Sequence, residues 1–323
     1  MIENKYLDFE RPIIELEKKI AELRAAAQEG GIESLDEEIR DVERKLDTAL
    51  RELASRLTPW QRTQLARHPA RPLATDLAER IFEDFLELHG DRSFRDDAAI
   101  LAGPARFRGR EVLLILQEKG RETAEKVRHN FGMAHPEGYR KVMRFLSQAE
   151  RFGRPVISLI DTPGAYPGIG AEERGQAWAI AASIERFFAF PGVTLATVIG
   201  EGGSGGALAL GVADKVLMME NAIYSVISPE GCASILFRDA ARAPEAAAAM
   251  KVTAQDARRL GVIDGIVEEP PGGAHRNPDE AAKRLGDALA EALEEMEGMK
   301  KSDRLEARYR KFRKMGVFHE VDA

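Results

Sequence analysis

The sequence predicts an α/β protein built from repeated strand-turn-helix units, and three observations carry that prediction. Short apolar runs rich in β-branched residues stand at Val112–Leu116, Val156–Ile160, Val193–Ile199, Val216–Met219 and Ile263–Glu268, with the length and composition of strands. Helical spacing separates several of them, at Tyr139–Phe152, Glu172–Phe188 and Gly206–Val212, and strands alternating with helices give parallel β structure. Two of the strands run into turns dense in glycine and proline, at 161–170 and 200–206, which suggests repeated units lining one cleft.

In chain order, the first element is a pair of amphipathic helices. Tyr6, Phe9, Ile13, Leu16, Ile20, Leu23 and Ala27 recur at spacings of three and four. The pattern resumes after Gly30-Gly31 at Ile32, Leu35, Ile39, Val42, Leu46, Ala49 and Leu53. An antiparallel helical hairpin over residues 1–57 follows, either packed on its own main domain or serving as a clamp for another copy or a partner. Thr58-Pro59 ends it. The main domain is expected over 58–278, beginning with a helix from Leu73 to Leu88 and a loop around Gly90-Asp91-Arg92. Pro270 to Pro278 reads as a loop, and a helix from Asp279 to about Met299 opens a C-terminal extension over 279–323. The basic tail Arg304–Lys314 reads as a solvated terminal helix.

Composition narrows the function. With 323 residues, 44% hydrophobic and 31% charged, the chain is long and apolar enough for a full core. A net charge of −7 argues against a dedicated nucleic-acid or membrane-surface protein. The charge is uneven: residues 1–57 hold 15 acidic and 10 basic side chains, whereas 119–144 hold seven basic and three acidic ones. Cys232 is the single cysteine, so neither an intrachain disulfide nor a cysteine-rich zinc site is available. The six histidines show no metal-ligand spacing, the charged N-terminal end resembles no leader, and no apolar run approaches a membrane span. A cytoplasmic protein without a metal of its own is the expectation.

The run Gly200-Glu-Gly-Gly-Ser-Gly-Gly206 between a strand and small helix formers needs a physical reason, since glycine is costly inside elements. Such a turn aims backbone N–H groups at a ligand, as a phosphate cradle or an oxyanion hole. No Lys-Ser/Thr pair follows the glycines, which removes the P-loop reading. A dinucleotide fingerprint is satisfied by Gly200, Gly202 and Gly205, but the acidic residue it requires after the next strand is poorly met. A second turn, Asp161-Thr-Pro-Gly-Ala-Tyr-Pro-Gly168, is stiffened by Pro163 and Pro167 and leads to Glu172-Glu173 at a helix start.

Several collinear stretches carry a resemblance: Gly120–Met133 with Pro136–Lys141, Asp161–Gly168, Gly170–Gln176, Gly200–Gly206, Tyr224–Ser234 and Gly272–Pro278. Over about residues 58–278 the chain resembles the α subunits of bacterial biotin-dependent acetyl-CoA carboxylase carboxyltransferases. Ile169 stands where the pattern has Val, and Trp178 where a smaller or polar residue is usual. The resemblance implies a crotonase-like spiral fold and transfer of a carboxyl group from carboxybiotin, delivered on a biotin carboxyl carrier protein, to acetyl-CoA. The product would be malonyl-CoA, at the first committed step of fatty acid synthesis.

It also implies roles. The N–H groups of Gly205 and Gly206 would form the oxyanion hole for the biotin ureido oxygen. Gly164, Ala165, Tyr166, Pro167, Gly168, Gly203 and Ser204 would line the biotin approach. Tyr166 is either a wall with a hydroxyl handle or a buried ring satisfied internally. Lys126 and Arg128 are the candidates for CoA phosphates or a carboxylate, against the reading of a solvated helix face. Glu201 reads as an orienter of its loop, and Cys232 as a packing residue. A partner β subunit carrying a four-cysteine zinc ribbon would complete the site in an assembly of two of each, alongside biotin carboxylase. Three alternatives stand: a carboxyltransferase for propionyl-CoA or another acyl-CoA, a non-catalytic scaffold, and a crotonase-type hydratase or isomerase.

Overall fold

The computed structural model describes residues 6–30 and 35–316. Its centre is one mixed sheet, ordered β1-β2-β3-β4-β5-β7, with β6 beside the far end of β4. The strands are β1 (Ile100–Phe107), β2 (Arg110–Gln117), β3 (Val156–Thr162), β4 (Thr194–Gly203), β5 (Lys215–Met219), β6 (Ile223–Ser225) and β7 (Gly265–Val267). Among the strands of the described residues, only β1 and β2 pair with each other antiparallel; the other strand pairs are parallel, as strands joined through helices require. Every residue of β3 and β4 is buried, which accounts for their largely apolar character.

The helices are α1 (Arg11–Gly30), α2 (Leu35–Arg56), α3 (Pro59–Ala66), α4 (Ala74–Ile81), α5 (Thr123–Arg128), α6 (Pro136–Phe152), α7 (Ile169–Glu173), α8 (Gln176–Ala189), α9 (Ser204–Gly211), α10 (Pro229–Phe237), α11 (Ala243–Met250), α12 (Ala254–Arg259), α13 (Pro278–Glu297) and α14 (Lys301–Arg313). Helices α1 and α2 lie against each other, with Arg24 and Glu43 2.6 Å apart. The Gly30-Gly31 turn between them falls largely outside the described residues. The start of the pair is docked on the body: buried Glu10 accepts from His275 Nε2 at 3.0 Å, and Arg276 reaches Glu17 at 2.5 Å. Helix α3 begins with a capping box, Thr58 and Gln61 each satisfying the other's backbone N–H, with Pro59 at the first position.

Four expectations need correction. The helix expected over Leu73–Leu88 ends at Ile81. Glu83, Leu86 and Leu88 instead bond to Arg106, Pro104 and Ala102, so the segment covers the outer edge of β1. Strand β1 lies outside the expected strands, because Gly103 and Pro104 interrupt its apolar run. The helix expected over Glu172–Phe188 is split at Gly175, which sits at φ 80°. The basic tail is not a solvated helix. Arg308 is 2% exposed and pairs with both carboxylate oxygens of Asp214 at 2.8 Å, while donating to the carbonyls of Phe187, Phe188, Phe190 and Gly192. The last carbonyls of α8 thereby find a cationic donor. Leu285, Leu289 and Leu293 of α13 belong to the same apolar core as the sheet.

Candidate functional site

The two glycine turns leave neighbouring strands, and β3 and β4 deliver them to the same end of the sheet. Within the first turn, Thr162 Oγ1 accepts from the Gly164 N–H at 3.1 Å and donates to the Gly164 carbonyl at 2.6 Å. Gln176 Nε2 donates to the carbonyls of Ala134 and Tyr166 at 2.9 and 2.8 Å, tying the turn to the start of α8. The Tyr166 ring is half-buried and stacks on His135 with centroids 4.1 Å apart. Its hydroxyl has no internal partner among the described residues, unlike that of a tyrosine satisfied within the core.

The second turn packs against the first, backbone to backbone. A Cβ on Gly203 would lie 2.1 Å from the Pro163 carbonyl oxygen, and one on Gly206 would lie 2.6 Å from the carbonyl carbon of Gly164. Only glycine permits that approach. A Cβ on Gly205 would meet nothing closer than the Ile180 side chain at 3.4 Å. Residues 164, 165, 203, 204 and 206 are thus brought together, with Tyr166 to Gly168 continuing the first turn's rim.

Ser204 occupies the junction of β4 and α9 at φ 50°, a left-handed conformation uncommon for serine. Gly202-Gly-Ser-Gly-Gly206 has the spacing of a nucleophile elbow. No histidine or carboxylate bonds the Ser204 hydroxyl among the described residues, so the activating base of a nucleophilic serine is missing. What the sharp turn does present is the first turn of α9. Its N–H groups have no intrahelical acceptor, and those of Gly205 and Gly206 find no backbone acceptor elsewhere among the described residues. The Gly206 carbonyl, in contrast, is held by Gln117 Nε2 at 3.0 Å. Two free amide donors at a helix start suit a developing oxyanion.

Beside the turns lies a cleft of about 220 Å³, lined among others by Arg67, Lys119, Lys126, Asp161, Pro163 and Glu201. Lys119 Nζ is 2.6 Å from both Asp161 Oδ1 and Glu201 Oε2, and Glu201 also pairs with Arg67 at 2.7 Å. Burial alone would raise the Glu201 carboxyl, but Lys119 and Arg67 outweigh it and hold the group below the usual carboxylate range. Burial likewise opposes the Lys119 ammonium, and the two carboxylates outweigh it and raise its pKa. Glu201 is therefore an ionised, doubly paired anchor, which suits an orienter of the loop and not a general base.

The two candidate cations of the short helix α5 separate. Lys126 lines this cleft, whereas Arg128 lines a neighbouring hollow with Glu125 and His129. Neither forms an ion pair among the described residues. Cys232 is half-buried in the first turns of α10, behind the Ser228 cap. Sequence reasoning missed Arg67 and Lys119. Among the described residues, two groups of histidine and carboxylate come within ligating reach, Glu10/His68/His275 and Glu87/His89/Asp96. Each carries a competing cation, Arg276 at 3.2 Å from Glu10 and Lys141 at 2.6 Å from Asp96.

The acetyl co-enzyme A carboxylase carboxyltransferase-like family model matches residues 6–316. The chain is 53% identical over 314 residues to the acetyl-coenzyme A carboxylase carboxyl transferase subunit alpha of Thermus thermophilus, covering 97% of this chain and 99% of that protein. It is 57% identical over 311 residues to the protein of the same name from Methylobacterium nodulans, covering 96% and 98%. Among solved structures, the transcarboxylase 12S core with methylmalonyl-coenzyme A bound matches with a TM-score of 0.52 at 21% identity, over 64% of this chain and 40% of that one. A Pseudomonas malonate decarboxylase hetero-tetramer in complex with coenzyme A matches with a TM-score of 0.54 at 16% identity, over 66% and 85%. At these identities the structural likeness shows the fold alone, a crotonase-like spiral.

Proposed function

The chain belongs to the acetyl co-enzyme A carboxylase carboxyltransferase-like family, and on that premise we propose that it is the α half of a carboxyltransferase that moves a carboxyl group from carboxybiotin to acetyl-CoA, giving malonyl-CoA. The observation that carries the reading is the pair of unpartnered amides, Gly205 and Gly206, presented where two glycine turns touch. Carboxybiotin, when bound, supplies both the carboxyl group and, once CO₂ departs, the base for the acetyl-CoA methyl proton. This chain then has little proton chemistry to perform, in keeping with an ionised Glu201 and a serine without a base.

Its work is electrostatic. The Gly205 and Gly206 N–H groups donate to the ureido oxygen as negative charge grows there, an effect worth roughly 10²–10³ in rate per well-aimed donor. The rim from Gly164 to Gly168, with Gly203 and Ser204, orients the ring system, and Tyr166 offers a flat wall with a free hydroxyl. Lys126, in the cleft, is the better placed of the two cations to meet an anionic group of the second substrate.

The thioester side of the site comes from a β partner, in an assembly of two α and two β chains, with the biotin carrier and biotin carboxylase completing the cytoplasmic enzyme. The single cysteine here leaves any four-cysteine zinc ribbon to that partner. Exposed apolar side chains support a partner-covered face. Ile169 of α7, Trp178 of α8 and Leu208 of α9 are 79%, 66% and 45% exposed, on elements that hold the two turns. The test is reconstitution with the β chain encoded in the same genome: malonyl-CoA should form from acetyl-CoA and the carboxylated carrier. Preferential turnover of propionyl-CoA would move the assignment to the related carboxylase, and hydration of an enoyl-CoA would replace it.

A further inference from the structure

We propose that Lys119 is a positioning residue that sets the offset between the two glycine turns, and with it the aim of the Gly205 and Gly206 amides. The role in transfer rests on the function proposed above; the positioning does not. Strands β3 and β4 pair in register as far as Ile160 with Val198, and the next partners are Thr162 and Gly202. Over that interval β3 advances two residues and β4 four, so β4 carries two extra residues in a bulge just before the glycine turn. A bulge forfeits ladder hydrogen bonds, and something else must specify where it sits.

Side chains specify it. Lys119 lies two residues beyond β2, whose register with β3 (Leu116 with Leu159) carries it to the level of the bulge. Its ammonium bridges Asp161 on one strand and Glu201 on the other, 2.6 Å from each, with all three side chains at least 84% buried. Asp161 Oδ1 also accepts from the Glu201 N–H at 2.8 Å. On the far side, Arg67 faces Glu201 and is itself faced by Glu230. Arg71 donates to the Ile199 carbonyl at 2.8 Å and pairs with Glu269. Absorbing the two extra residues into the ladder would carry the glycine turn about 7 Å along β3, at about 3.3 Å per residue. The contacts of Gly203 with Pro163 and of Gly206 with Gly164 would not survive such a slip.

The experiment compares wild type, Lys119→Met and the charge-balanced pair Lys119→Met with Glu201→Gln, each assembled with the β partner. Local hydrogen–deuterium exchange is read alongside kcat and the KM for acetyl-CoA. The single variant leaves two buried carboxylates facing each other; the pair removes the bridge at unchanged net charge and leaves Asp161 the Glu201 N–H, so it reports even if the single variant fails to fold. In the pair, amides of 200–207 should exchange about ten-fold faster or more while those of 113–116 and 156–160 keep their rates. The same complex should lose about ten-fold or more in kcat with its KM for acetyl-CoA held within about two-fold. Unchanged exchange over 200–207, or faster exchange throughout the sheet, overturns the positioning role. A wild-type complex that transfers no carboxyl group sinks the proposed function, and the exchange data still decide the role of Lys119.

Discussion

A methyl group at Gly206 would lie 2.6 Å from the Gly164 carbonyl carbon and 2.8 Å from the Ala165 nitrogen, both backbone atoms that cannot step aside. At Gly205 it would meet only Ile180. The two glycines proposed to share the oxyanion role therefore differ in mutability. Gly206→Ala should cost about 1–3 kcal/mol of stability through overpacking, whereas Gly205→Ala should stay within about 1 kcal/mol of wild type. Urea unfolding of the two variants checks this, and equal effects would contradict the packing described. The turn glycines were legible as residues because their density has no cheap explanation. Lys119 and Arg67 were not, because their shared partner Glu201 stands 82 and 134 positions away, and nothing local in Lys119-Gly120 or Arg67-His68 announces a carboxylate across the sheet.

Elements are locked onto the body by buried charge. In α14, Arg308 pairs with Asp214 and caps the carbonyls at the end of α8. Arg308→Ala leaves the buried Asp214 carboxylate only Arg304, at 3.6 Å, as a cation and should cost about 3–5 kcal/mol in denaturant unfolding. Arg308→Lys should recover little, since an ammonium cannot span both oxygens and the carbonyls. A wild-type midpoint for Arg308→Ala would show that the tail is solvated after all. At the other end, Glu10 resists burial, and the bonds from His275 and the Leu7 N–H, with the charge of Arg276, lower its pKa to about 2 from 4.5. A depressed carboxyl pKa contributes stability above the unfolded value that is lost as pH falls through the folded one. Stability should thus decline as pH drops from 4.5 toward 2, and Glu10→Gln should flatten that slope in thermal melts; an unchanged slope would remove the latch. The spacing of the N-terminal helices was legible because period does not depend on context. Helix α4 was overrun because Phe82 to Leu88 has helical spacing yet is spent on covering the edge of β1. The burial of α14 was hidden because an arginine stem with a paired head looks, in sequence, like any surface arginine.

At the scale of the molecule, a spiral of strand-turn-helix units puts two turns, separated by a whole unit in sequence, against each other at one end of the sheet. The alternation of elements made that architecture readable, while β6, three residues long, and the antiparallel β1 escaped because neither carries a long apolar run. The same end exposes Trp178, an apolar surface that a lone chain gains nothing by showing to water. Trp178→Asp should weaken association with the β partner by about ten-fold or more, read by titration calorimetry, with the isolated chain's melting temperature unchanged. Wild-type affinity would place the partner elsewhere.

In the proposed reaction, backbone amides of the glycine turn, and no side chain of this protein, stabilise the charge that develops during transfer. Replacing Gly205 with glycolic acid exchanges its N–H for an ester oxygen and leaves every side chain in place. Transfer from the carboxylated carrier to acetyl-CoA by the assembled complex should then fall about 10²–10³-fold in kcat with assembly intact. An ester-bearing complex that turns over at the wild-type rate would show that the Gly205 amide stabilises no charge in transfer.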